Sequence, residues 1–329
     1  MRILVTGGAG FIGSHFVRRL VARGDEATVL DKLTYAGNRA NLDGVEHEFV
    51  HGAIEDPEVV AKAARGCEAI VNFAAESHVD RSIISSAEFI TTDVLGTQVL
   101  LEHARHHSLR YVQVSTDEVY GDVPLDAPPC LEDAPLRASS PYSASKAGGD
   151  LQVLAYVRTY DVNASITRGA NTYGSHQFPE KLLPLFITNV FEGKKLPVYG
   201  DGRQRREWLH AEDHCAGIDL VLREGGRGEI YNVSGQEREN MDVVRAILTL
   251  TGGNPDLVHH VTDRLGHDRR YAIDSTKLRS LGWTPAHSFD AGLAETVDWY
   301  REHPEWWEPI KSGDYRAYYE QQYAARLAG

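Results

Sequence analysis

Along the first 170 residues, short apolar runs alternate with amphipathic stretches. Strands are predicted near residues 2–6, 26–31, 46–50, 68–73 and 109–115, separated by helical periodicity near 11–23, 56–65 and 79–107. This alternation is the mark of β-α-β units and predicts an α/β fold with a doubly wound parallel sheet. Ser139-Ser140-Pro141 opens a further helix through about residue 161, with the proline just inside its start. Ala164–Arg168 supplies a sixth strand.

Beyond Arg168 the texture changes. Prolines, glycines and arginines are interspersed, notably in Tyr199-Gly-Asp-Gly-Arg-Gln-Arg-Arg-Glu-Trp208. Helical patterns near 212–224, 239–251 and 289–302 predict a folded, smaller, mixed α/β portion rather than a tail. No internal repeat or low-complexity tract occurs.

The chain has 329 residues, 42% hydrophobic and 25% charged, enough for one large or two intimate domains with a sizeable core. Its net charge of −13 repels nucleic acid and anionic membranes, so a bound phosphate must be held locally. No apolar run approaches a membrane span, and a signal peptide is not expected ahead of the strand-like Arg2–Thr6. Cys67, Cys130 and Cys215 are widely spaced and odd in number, as free thiols of a cytoplasmic protein would be. His210-Ala-Glu-Asp-His214 is the nearest approach to a metal motif, but no glutamate follows its first histidine. A helix start capped by Asp213 or a neighbour is the expectation, and no metal is expected.

Gly7-Gly8-Ala9-Gly10-Phe11-Ile12-Gly13 joins the first strand to the first helix, with Gly7, Gly10 and Gly13 three apart. Glycines there allow a tight turn, bring backbone N–H groups to a pyrophosphate and let the helix press on the strand. Asp31 ends the second strand, where a carboxylate meets the adenosine ribose hydroxyls. Its charge opposes a 2′-phosphate, so NAD is expected over NADP although Lys32 stands beside it. This context makes the sheet a Rossmann-type dinucleotide fold. The expected division is a cofactor-binding domain over 1–168, with segments near 208–235 returning to it, and a substrate-binding portion over 169–329.

Tyr142 and Lys146 are one helical turn apart and share a face. A free tyrosine ionises at a pKa of about 10; a nearby ammonium favours the phenolate, and a three-unit shift is worth roughly 4 kcal/mol. Such a pair can take a proton from a sugar hydroxyl as hydride leaves the same carbon. Thr116-Asp117-Glu118 ends the fifth strand, at the sheet edge where ligands bind. Simple hydride transfer needs only a hydroxyl such as Thr116 there. Two further carboxyls suit elimination of water, which needs a base for a C–H and an acid for hydroxide; capping of the next segment is the alternative.

These blocks resemble the extended short-chain dehydrogenase/reductases, and within them the dTDP-glucose 4,6-dehydratases. The resemblance runs nearly end to end, through Thr6-Gly-Gly-Ala-Gly-Phe-Ile-Gly13, Asp31-Lys-Leu-Thr-Tyr-Ala-Gly-Asn38, Ala74-Ala-Glu-Ser-His-Val-Asp-Arg-Ser82, Ser115-Thr-Asp-Glu-Val-Tyr-Gly121, Ser140-Pro-Tyr-Ser-Ala-Ser-Lys146, Pro179-Glu-Lys-Leu182, Arg206-Glu-Trp208 and Gly266-His-Asp-Arg-Arg-Tyr-Ala-Ile-Asp274. It implies that Tyr142, with Lys146 and Thr116, removes the O4 proton as NAD oxidises C4, that Glu118 takes the C5 proton and that Asp117 protonates the leaving C6 hydroxyl. Hydride then returns to C6, giving dTDP-4-keto-6-deoxyglucose. NAD contacts are implied at Gly7, Gly10, Phe11, Ile12, Gly13, Asp31, Lys32, Thr34, Ala53, Ile54, Phe73, Ala74, Ala75, Thr92, Tyr142 and Lys146. Sugar and nucleotide contacts are implied at Glu76, Ser77, His78, Thr116, Asn171, Glu180, Lys181, Leu182, Pro197, Tyr199, Arg206, Asn232, Arg264, His267 and Tyr271. Arg206 has independent support, because a guanidinium suits a diphosphate; Arg203 and Arg205 fit a solvated basic loop. A homodimer through the 79–107 and 141–161 helices is also implied.

Four departures stand out. Ala53 and Asp93 occupy positions where the family has aspartate and asparagine; Asn171-Thr-Tyr-Gly-Ser175 replaces Asn-Asn-Tyr-Gly-Pro, and Leu265 replaces a proline. A nucleotide-sugar 4-epimerase would share the glycine loop and the Tyr142-Lys146 pair without needing Asp117-Glu118. A non-catalytic NAD-binding scaffold would not need the acid-base set at all.

Overall fold

The computed structural model describes residues 1–263, 266–313 and 319. Among these, twelve strands form: β1 Arg2–Thr6, β2 Glu26–Asp31, β3 Glu48–His51, β4 Ala69–Asn72, β5 Arg110–Thr116, β6 Ala164–Gly169, β7 Asn171–Tyr173, β8 Leu196–Tyr199, β9 Arg205–His210, β10 Ile230–Val233, β11 Gln236–Glu239 and β12 Val258–Val261. Seven build one sheet in the order β10-β6-β5-β4-β1-β2-β3, with every neighbouring pair parallel. Chain order reverses between β1 and β4, which opens a crevice at their carboxyl ends. Every residue of β4 and β6 is buried, as strands covered on both faces must be.

Helices cover both faces. Phe16, Val17 and Leu20 of helix Phe11–Ala22 and Ile218, Val221 and Leu222 of helix Ala211–Glu224 fill one side; Val60, Leu100, Leu101, Val153 and Tyr156 fill the other. A third core lies beside a three-stranded sheet, β11-β9-β7, and a parallel pair, β12-β8. There Phe186, Ile247, Leu293, Val297 and Trp307 pack together. Thus β10 and helix Ala211–Glu224 belong to the large sheet's layers although they follow β9 in sequence.

The helix of Tyr142 begins as its sequence predicts. Ser140 is the N-cap in a reciprocal capping box with Ser143, and Pro141 occupies the first turn. The segment 79–107 is not one helix: it breaks at Ser85, which is extended, and passes through a π-helical turn over Thr91–Gly96. That wide turn sets the backbone of Asp93 against Gly149, where a Cβ would lie 2.7 Å from the Asp93 carbonyl oxygen. Helices Leu182–Phe191 and Pro304–Ser312 were not expected from the pattern. The first is apolar on nearly every face and carries Pro184 in its opening turn, so amphipathic periodicity is masked while helix formation is not hindered.

Asp213 does not cap its own helix. His210 holds the N-cap position without a side-chain bond, and the Asp213 carboxylate instead accepts the backbone N–H groups of Ala286 (2.8 Å) and His287 (3.0 Å).

Candidate active site

The loop after β1 is shaped by contacts only glycine permits. At Gly7, with φ of +66°, a Cβ would sit 2.7 Å from the Ala74 nitrogen; at Gly13 it would sit 2.3 Å from the Gly7 carbonyl oxygen. Asp31, at the end of β2, accepts the amides of Ala9 (2.9 Å) and Leu33 (2.8 Å), one on each carboxylate oxygen. Burial pushes its carboxyl up and these two amides oppose the shift. Each oxygen keeps a lone pair for a hydroxyl.

Above this loop lies a cavity of about 300 Å³. Gly7, Gly10, Phe11, Ile12, Gly13, Asp31, Lys32 and Thr34 line it from one side; Ile54, Phe73, Ala74, Ala75, Glu76, Ser77 and Thr92 line it from the others. Ala53 does not reach it, although its neighbours Gly52 and Ile54 do. The glycine cradle, the ribose-ready carboxylate and the apolar walls together fit a dinucleotide.

Thr116, Asp117, Glu118, Tyr142 and Lys146 close the deep end of the same cavity. Thr116 is extended, and its Oγ1 accepts the Glu118 amide at 3.2 Å, which starts a 3₁₀ turn over Asp117–Tyr120. This turn separates two adjacent carboxyls into different surroundings. Asp117 is 2% exposed, and burial, then the neighbouring Glu118, push its carboxyl up to about 7. Its Oδ1 accepts the Thr116 hydroxyl at 3.2 Å, while Oδ2 has no hydrogen-bond partner.

The tyrosine-lysine pair behaves differently from its sequence expectation. Burial, then Glu118 and Asp93, hold the Tyr142 phenol well above its ordinary value, while the Thr116 hydroxyl acts the other way. Lowering by an ammonium does not prevail, because desolvation and the surrounding carboxylates outweigh it. The Lys146 ammonium donates to the Val114 carbonyl at 2.9 Å. Asp93, whose carboxyl burial raises to about 6, accepts the Ser145 hydroxyl at 2.5 Å one residue before that lysine.

A second cavity of about 170 Å³ adjoins the first. His78, Leu182, Pro197, Tyr199, Arg206, His267 and Tyr271 line it; Glu118, Asn171, Glu180 and Lys181 line both cavities. Arg206 stacks on the Tyr271 ring, 4.2 Å from its centre, and donates to the carbonyls of Arg205 and Asp268. Glu180 accepts Arg81 Nε at 3.1 Å, and Arg81 lies over Tyr35. One expected residue of the second cavity falls elsewhere. Asn232 is fully buried, accepts Tyr120 Oη, donates to the Cys130 carbonyl and lines neither cavity. Its strand β10 points that side chain into the protein interior. Arg264 lies outside the described residues, as does Leu265.

Some lining residues carried no recognised signal. Asp80 accepts the Tyr199 hydroxyl at 3.1 Å beside the second cavity, and His214 lines the first, with Nδ1 against the Thr172 hydroxyl. Glu207 lies outside both linings, yet burial, then Asp117, raise its carboxyl to about 8. The polar neighbours of both carboxylates, His78 and Arg81 around Asp80 and Arg205 and Arg206 before Glu207, gave no sequence signal of their burial.

Asn171 Oδ1 and Glu180 Oε1, on residues lining both cavities, and Asp117 Oδ2, on a residue lining the first, are buried without a hydrogen-bond partner. Buried polar atoms are rarely left so, and a polyhydroxylated ligand would satisfy them. A dinucleotide cradle, a Tyr-x-x-x-Lys pair and a sugar-sized annex define an extended short-chain dehydrogenase/reductase.

The comparisons narrow this class. A family model described as GDP-mannose 4,6 dehydratase matches residues 4–296. A dTDP-glucose 4,6-dehydratase of Streptomyces niveus is 51% identical over 327 residues, covering 95% of this chain and 97% of the relative. The low-salt glycan biosynthesis protein Agl12 of Haloferax volcanii is 51% identical over 307 residues, covering 91% and 98%. The crystal structure of DesIV, a dTDP-glucose 4,6-dehydratase from Streptomyces venezuelae with NAD and TYD bound, superposes with a TM-score of 0.92 at 53% identity, covering 94% of this chain and all of that one. The chain belongs to the dTDP-glucose 4,6-dehydratase family.

Proposed function

We propose that the chain binds NAD in the first cavity and dTDP-glucose in the second, and dehydrates the sugar to dTDP-4-keto-6-deoxyglucose. The observation that carries this reading is the Asp117-Glu118 pair. One carboxyl is buried and keeps its proton near neutral pH; the other stands at the junction of the cavities. A paired acid and base is what elimination needs and what epimerisation does not.

Held by the glycine loop and Asp31, NAD would supply the hydride acceptor for C4 oxidation and the hydride donor for C6. Tyr142, beside Thr116 and on the helix face of Lys146, takes the O4 proton. It does so as the phenolate, its own proton having first passed to solvent; burial and the surrounding carboxylates oppose that ionisation and positive charge in the cavity promotes it. Glu118 removes the C5 proton once the C4 ketone has acidified it. Asp117 gives its proton to the C6 oxygen, which leaves as water, and Glu118 returns its proton to C5.

The glycine loop offers backbone amides to the pyrophosphate, and Asp31 accepts the ribose hydroxyls. The Lys32 ammonium beside Asp31 is already paired with Glu55 at 2.9 Å, which supports NAD over NADP. Arg206, with Asn171 and His267, holds the diphosphate and nucleoside, and Glu180, Lys181 and Tyr271 border the sugar. The functional units are 1–168 with the returning segments near 208–235, and the nucleotide-sugar portion of 169–329. Exposed Ile83, Ile84, Ile90, Leu95 and Leu151 support a homodimer through the 79–107 and 141–161 segments. Cytoplasmic residence is supported by three free cysteines; among the described residues no helix is long and apolar enough to cross a membrane.

Incubation with dTDP-glucose in heavy water tests the reading. The wild type should yield a 4-keto-6-deoxy product carrying solvent deuterium at C5, and turnover should be highest for dTDP- over UDP- and GDP-glucose. Glu118→Gln should accumulate reduced cofactor without releasing that product. A galactose epimer without C5 deuterium would overturn the dehydratase reading.

A further inference from the structure

We propose that His210, Glu212 and His287, with Glu295 opposite, form a binding site for a divalent cation of the zinc class, outside both cavities. His210 comes from the motif that suggested a pair with His214, but the fold separates those two. His214 turns toward the cofactor cavity, whereas His210 stacks on His287 with ring centres 4.0 Å apart. One ligand atom each of His210, Glu212 and His287 lies within 4.8 Å of the others.

The proton arrangement favours a cation. Asp213 Oδ2 lies 3.1 Å from His287 Nδ1, and a carboxylate can only accept, so Nδ1 carries the proton. Nε2 is therefore the nitrogen left to ligate a cation. A carboxylate behind a histidine in this way is the usual support of a metal-ligating imidazole. Glu212 Oε2 stands 3.8 Å from that Nε2 and Glu295 Oε2 3.9 Å, both beyond hydrogen-bond distance. Donors around a tetrahedral zinc are about 3.4 Å apart, so the exposed glutamates and the His210 nitrogen, now within 4.8 Å of the other ligand atoms, must draw in to close the shell. An independent sign is His210 itself: it is 8% exposed, and its Nδ1 has no hydrogen-bond partner.

The ligands come from the end of β9, the first turn of helix Ala211–Glu224, the loop at 287 and helix Phe289–Glu302. A cation there would clip the last of these to the body of the large sheet. None of the four residues lines either cavity, so the site is separable from turnover.

Titration of the tag-free, chelator-treated full chain with Co²⁺, followed by its visible ligand-field bands, tests the site. One equivalent should give tetrahedral-type absorption that Zn²⁺ displaces, and Zn²⁺ should raise the melting temperature. His287→Ala should weaken binding about tenfold or more. The Glu212→Gln, Glu295→Gln double variant, altered only at exposed positions, should weaken it also and decides the matter if the histidine variant does not fold. His259→Ala, on β12, should bind as the wild type does. No stoichiometric Co²⁺ band, or binding unchanged in the double variant, would show a cluster of protonated histidine and carboxylates and overturn the proposal.

Discussion

The two cavities are built in opposite ways. The first is lined by continuous blocks at the ends of consecutive parallel strands, so each loop arrives at the same edge because the sheet is parallel. The second draws His78, Lys181, Tyr199, Arg206 and His267 from segments far apart in sequence, and they meet only because β7 and β9 pair beside the large sheet. The contrast extends to chemistry. In the first cavity the decisive property is protonation, set by burial around Asp117; in the second it is a positive charge held in place by stacking, as in Arg206 on Tyr271.

The sharpest way to test that contrast is Asp117→Asn, which should lower kcat about 10²- to 10⁴-fold. The folded carboxyl titrates at about 7, above its ordinary range, so the acid is protonated below that pH and lost above it. The wild-type kcat/KM should therefore fall as pH rises through about 7, and that limb should vanish in the variant. Stability should move with it. The native state holds this proton more tightly than the unfolded chain, so wild-type stability declines from about pH 4 upward to the folded pKa. The variant's denaturation midpoint should exceed that of the wild type on the alkaline side, with the gap closing on acidification.

Arg206→Ala should act on the other cavity. On the proposed role of Arg206 as the diphosphate ligand, KM should rise about tenfold to a hundredfold with a smaller change in kcat. An equal loss in kcat would mean that the two cavities are not separable in this way. The smallest effect belongs to Asp93→Asn. Ionised Asp93 raises the Tyr142 phenol, so removing its charge should lower that pKa and move the limb of kcat/KM that rises with pH, where Tyr142 becomes a phenolate, slightly to lower pH. No movement of that limb would place its origin elsewhere than Tyr142.

Much of the first half was legible because local signals and the sheet agree. The glycine spacing, the Ser140 cap and the alternation of strands each specify local structure, and β1–β6 form near their predicted positions. The break at Ser85 and the π turn over Thr91–Gly96 were not legible, since what stabilises them is packing of Asp93 against Ser145 and Gly149. Helix Leu182–Phe191 was hidden because burial on nearly all sides erases amphipathic contrast.

By itself the sequence determined which groups could do the chemistry: the dinucleotide loop, Tyr142 with Lys146, and an adjacent pair of carboxyls. Only the tertiary structure decided what those groups are. It buried Asp117 until it holds a proton near neutrality, set carboxylates around Tyr142 so that its phenol is raised rather than lowered, sent Asn232 inward, and paired His210 with His287 instead of His214. The reason is physical. A residue type and its spacing are local properties, whereas a pKa, a missing partner and a neighbour across the fold depend on desolvation and proximity, which exist only once distant segments have packed.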